Sequence, residues 1–75
     1  MKNTIYIKLL NEGSVAYRPT SAYQIEEYIY KIDGSECYNS EDEEWEFLPG
    51  VYVLVEERNL SGRNVLVVIR EQSPL

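Results

Sequence analysis

Residues 4–10 alternate in polarity, with Ile5, Ile7 and Leu9 on one side and Thr4, Tyr6 and Lys8 on the other. A period of two is the signature of a strand with one buried face. Asn11-Glu12-Gly13-Ser14 is turn chemistry, and Gly13 is the residue expected to take positive φ. A second extended stretch begins at Val15 and runs through Ala16, Tyr17 and Arg18. Pro19 lacks a backbone donor, which predicts a bend there, with Thr20 to Gln24 continuing the strand. Ile25, Tyr28 and Ile29 also fit helical spacing, but residues 28–32 are mostly strand formers. We therefore expect a turn at 25–27, a strand from Tyr28 to Ile32 and a turn at Asp33-Gly34. Val51 to Val55 and Val65 to Ile69 are apolar at every position, which predicts strands covered on both sides. Between them, Asn59 to Asn64 reads as a Gly-containing hairpin loop, and the end beyond Glu71 is expected to fray.

Five or so strands, short turns and no convincing helix predict one all-β domain over residues 1–75, a small antiparallel SH3-like barrel. In so small a barrel only one side of the last two strands fills the core. The outer side, expected to carry Tyr52, Leu54, Leu66 and Val68, then forms an apolar patch of a kind soluble monomers rarely leave bare. A second copy of the chain, the chain's own 35–48 loop, or another protein are the three candidate covers. Dimerisation is the favoured one, since a two-fold contact uses a single patch twice.

The stretch Glu43-Glu44-Trp45-Glu46-Phe47-Leu48-Pro49-Gly50 holds the only tryptophan and the only phenylalanine. Trp45 and Phe47, two residues apart, share a side and are expected to plug one end of the barrel, with Glu44 and Glu46 facing water. Pro49-Gly50 should turn the chain into the strand at 51–55. Trp45 is also a candidate interface anchor beside the outer face of the last strands.

Composition narrows the function. A chain of 75 residues sits near the lower limit for a core without staples. Its single cysteine, Cys37, rules out an intramolecular disulfide, and with no histidine a structural zinc site is disfavoured. The net charge of −6 disfavours DNA, RNA or an anionic membrane surface as partner and suits a basic protein instead. The N-terminal residues carry lysines within the apolar stretch and no cleavage site, so the chain is expected to be cytoplasmic and complete.

The acidic run Glu41, Asp42, Glu43, Glu44 and Glu46 offers three readings: a hard-cation site, a contact for a basic partner, or a solvated loop. The alternating ligand pattern and central glycine of an EF-hand loop are missing, so no metal and no cofactor are expected. Cys37 and the serines have no histidine to activate them, and no phosphate-binding glycine loop is present, so no catalytic residue is assigned and an enzyme is not expected. Seven tyrosines remain. They suit protein interfaces, base stacking, or plain core and cross-strand pairing. The negative charge favours the interface over the stacking platform.

Leu9-Leu10-Asn11-Glu12-Gly13, Tyr17-Arg18-Pro19 with Ala22, Tyr30-Lys31-Ile32, and Glu41 to Phe47 with Pro49-Gly50 and Ser61-Gly62 together form a recognisable pattern. It resembles that of a group of small uncharacterised bacterial proteins reading roughly LLxEG…RP…EDEEWEFxPG, a type also found among integron gene-cassette products. The resemblance covers most of the chain and implies a compact β-barrel-like domain of bacterial origin, without a reaction. It departs at Val51, where relatives often carry an acidic residue after the glycine. The expectation is thus a non-enzymatic protein–protein interaction module, self-associating through the outer face of its last two strands. The alternative is small-ligand or single-stranded nucleic-acid binding on a tyrosine-lined sheet face.

Overall fold

The computed structural model describes residues 2–33, 38–39 and 41–72. The expected turn at Gly34 and the placement of Cys37 lie outside the described residues. Six strands are present: β1 (Lys2–Leu10), β2 (Tyr17–Glu26), β3 (Ile29–Ile32), β4 (Glu44–Trp45), β5 (Tyr52–Leu60) and β6 (Arg63–Glu71). No helix occurs among the described residues, and so none crosses a membrane.

The strands form a single sheet whose ring runs β1-β2-β3-β5-β6 and back to β1, with β4 appended to the far end of β1. The expected small barrel is therefore present. It is not antiparallel throughout: β1 and β6 close the ring in parallel, registered at Tyr6 and Val67. An up-and-down path with an odd number of strands leaves its first and last strands pointing the same way, so a parallel closure follows from the strand count.

β2 serves two neighbours. Tyr17 to Tyr23 pair with β1, and Ala22 to Glu26 pair with β3, with a bulge at Ile25 that leaves this side chain exposed. The strand runs through Pro19 without interruption, and its sharing between two partners is what curls the sheet. The reversal into β3 falls at Glu27-Tyr28, slightly later than expected, so β3 starts at Ile29. In the loop after β1 the left-handed residue is Asn11 (φ 59°) and not Gly13, a conformation that asparagine tolerates better than most residues.

The core follows from period-two alternation. Ile5, Ile7 and Leu9 of β1 meet Ala22, Tyr30, Ile32, Trp45, Val53, Val55 and Val68 in one cluster. β5 alternates between half-buried Tyr52 and Leu54 and fully buried Val53 and Val55. It is not covered equally on both sides, contrary to the sequence expectation. Two turns fix its ends. Val51 N donates to Leu48 O at 3.2 Å across Pro49-Gly50, and Gly50 has φ 93°, which together make a type II turn. Ser61 and Gly62, at φ 53° and 83°, form a two-residue type I′ turn between β5 and β6.

Candidate functional site

The type I′ turn decides which residues share the outer face. With Leu60 opposite Arg63, the ladder places Glu57 opposite Leu66 and Val55 opposite Val68. Directly opposed residues project to the same side of a sheet. Leu66 and Val68 therefore point inward with Val55. Val68 is buried in the core and Leu66 is packed against it. This corrects the expected patch, in which both joined Tyr52 and Leu54 outside. The apolar run of β6 conceals its parity, which the turn register supplies.

Trp45 is likewise no surface anchor. It is 2% exposed, pairs with Leu9 through β4, and meets Tyr38 edge-to-face with ring centroids 4.9 Å apart. Phe47 is packed against the same core cluster, while Glu44 and Glu46 are exposed, as the alternation requires. The indole N–H donates to Glu43 Oε1 at 3.0 Å. Arg18 grips the same carboxylate with two bonds, Nε to Oε1 at 2.8 Å and Nη2 to Oε2 at 2.7 Å. These bonds, Arg18 first and then Trp45, hold the Glu43 carboxyl below its ordinary range. The acidic rim is thus divided. Glu43 is a structural link between β2 and the Trp45 plug, and Glu44 accepts a bond from the Asn11 amide. Glu41, Asp42 and Glu46 are exposed. No cluster of three or more acidic, cysteine or histidine side chains among the described residues is arranged to hold a metal ion.

Tyr52 and Leu54 do lie on the outer side, half-buried, and the structure adds neighbours that sequence reasoning missed. Ile29 stands opposite Leu54 on β3, and Arg70 stands opposite it on β6. The β5–β6 register shifts between Leu54 and Val55, which leaves Ile69 as an extra, bulged residue, 39% exposed. Tyr28, at the tip of the β2–β3 hairpin, is 48% exposed and caps the same face. Tyr28, Leu54 and Ile69, with the flanking Glu56 and Glu57, line a shallow, largely apolar hollow of about 430 Å³. Residue type predicts Tyr28 inside the strand, whereas it stands in the turn that precedes β3.

The face is electrically polar along β5. At one end Lys31 lies opposite Tyr52, with its ammonium 5.7 Å from the ring centroid, and Tyr23 stands on the other side of Lys31. Arg70 adds a second cation beside Leu54. At the other end stand Glu56 and, at the hairpin tip, Glu26 and Glu27. Arg58 pairs with Glu56 across 2.7 Å, but both side chains are about half exposed, so the pair is readily exchanged for another. The described part of the 35–48 segment does not cover this face. Its residues 41–44 border Leu10, Asn11 and Glu12 instead.

Comparison with protein-family models, with curated proteins and with solved structures finds no match for this chain.

Proposed function

We propose that this protein is a non-enzymatic interaction module that associates with a second copy of itself through the outer face of β5 and its neighbours. The proposed contact residues are Tyr28, Ile29, Tyr52, Leu54 and Ile69. One observation carries the reading: a contiguous apolar face on a small barrel, with cations at one end of β5 and carboxylates at the other. A two-fold axis lying in the contact plane, at right angles to β5, superposes apolar centre on apolar centre. It also brings Lys31 and Arg70 of one copy to the Glu56 end of the other, so a single surface is complementary to itself. The aromatic and aliphatic side chains are the residue types that dominate interface cores. The sequence resemblance suggests a bacterial origin and the N-terminal residues a cytoplasmic setting, and neither bears on a residue of this face.

Sedimentation velocity over a concentration series tests the reading. The wild-type chain should sediment as a dimer at low micromolar concentration, and Leu54→Glu should sediment as a folded monomer. A wild-type chain that stays monomeric throughout removes the proposal.

A further inference from the structure

A second groove has no lining residue in common with the hollow at Leu54, and its extension past Arg63 meets that hollow only at Glu57. Between the β5–β6 hairpin and the start of β2, Tyr6, Val15, Tyr17, Leu60, Arg63 and Val65 line a groove of about 460 Å³. That is within the range of ligand clefts, roughly 300–1,000 Å³. Val15, on its rim, is 69% exposed, so an occupant that covers it gains the burial of an apolar side chain. The charge of the lining is opposite to that of the molecule. The chain carries 13 acidic and seven basic residues, yet among the described residues no carboxylate lines this groove. Arg63 makes no ion pair among the described residues. Lys8, directly opposite Tyr17 in the β1–β2 ladder, puts a second cation on the same side of the sheet.

We infer that this groove binds an extended peptide segment of a partner protein, one in which a carboxylate adjoins apolar side chains. The apolar side chains lie on Tyr6, Tyr17 and Val15, and the carboxylate is taken by the Arg63 guanidinium, whose planar fork fits it with two bonds. The shape favours an extended chain over a compact ligand. The groove continues past Arg63 into an adjoining hollow that shares Tyr6, Arg63 and Val65 and reaches Thr4 and Leu66. Glu57 stands in that hollow and repels acid there, which fixes the direction in which the peptide's charge must point. Single-stranded nucleic acid needs a run of cations along its phosphates, and two cations beside this groove do not supply one.

A display library of short random peptides, panned on the full purified chain, identifies the preferred sequence, and calorimetric titration then measures it. The selected peptides should share an acidic residue next to apolar ones. Arg63→Glu should weaken the best of them by about tenfold or more, the loss expected for a charge-assisted contact. Tyr17→Ala should weaken it as well, while Leu54→Glu should leave it unchanged, which separates this site from the self-association face. Arg63 is exposed, so circular dichroism should show its variant folded. No shared sequence, a basic consensus, tighter binding of oligothymidylate than of any peptide, or wild-type affinity in folded Arg63→Glu would each overturn the inference.

Discussion

Glu43 shows how a residue in an acidic run can be structural. Its carboxylate takes two bonds from Arg18 and one from the Trp45 indole, so it ties β2 to the aromatic plug across 25 positions of sequence. Its folded-state pKa lies below the ordinary carboxylate value, so the unfolded chain binds its proton first as pH falls. The stabilisation is therefore complete above the ordinary carboxylate range and is lost as pH drops through the lower folded value. Glu43→Gln should be less stable than wild type near neutral pH, and the gap should narrow under acid, as urea denaturation at a series of pH values would reveal. An equal gap at every pH would mean that the bonds to Arg18 and Trp45 do not depend on the charge. Trp45 itself is the larger contributor. Trp45→Ala should cost about 3–5 kcal/mol, the range for emptying a buried aromatic site, read from the midpoint of a denaturation curve. A loss well under about 1 kcal/mol would show the indole is not a core plug.

At the level of elements, the turns set the fold's geometry more than the strands do. Gly50 at φ 93° and Gly62 at φ 83° occupy left-handed positions, where a side chain costs about 1–2 kcal/mol, even though open space surrounds both. Gly50→Ala and Gly62→Ala should each lower the melting temperature by the equivalent of that cost, whereas Gly13→Ala, which has no left-handed backbone to satisfy, should be close to neutral. Ser61, at φ 53°, is itself in a conformation that asparagine accepts more readily, so Ser61→Asn should raise the melting temperature. Thermal melts followed by circular dichroism check all four. These turns also explain what could and could not be read from the chain. The alternation of Ile5, Ile7 and Leu9, the Pro49-Gly50 turn, and the pairing of Trp45 with Phe47 on one side were all legible, because each depends on neighbours in sequence. The face of Leu66 and Val68 was not. Every residue from Val65 to Ile69 is apolar, so parity had to come from the Ser61-Gly62 turn, and the bulge at Ile69 from a register shift that no local pattern announces. The parallel closure of β1 on β6 is likewise a property of the whole path.

At the level of the molecule, the barrel presents two surfaces of opposite design. The outer face of β5 is apolar at its centre, basic at one end and acidic at the other, and so complements itself. The Tyr6–Arg63 groove mixes apolar and neutral polar side chains, and among the described residues Arg63 is its one charged lining residue, which is the ground for the acidic peptide inferred above. Two of the five expected contact residues, Tyr52 and Leu54, lie on the first face, while Leu66, Val68 and Trp45 serve the interior. A face that depends on end-to-end charge matching should also feel salt, and dimerisation should weaken as ionic strength rises from low to physiological levels. The most direct test of the central claim is sedimentation velocity of wild type beside Leu54→Glu, with folding of both checked by circular dichroism. The account predicts a concentration-dependent dimer for wild type and a folded monomer for Leu54→Glu. A folded Leu54→Glu chain that dimerises like wild type, or a wild type that never leaves the monomer, would contradict it.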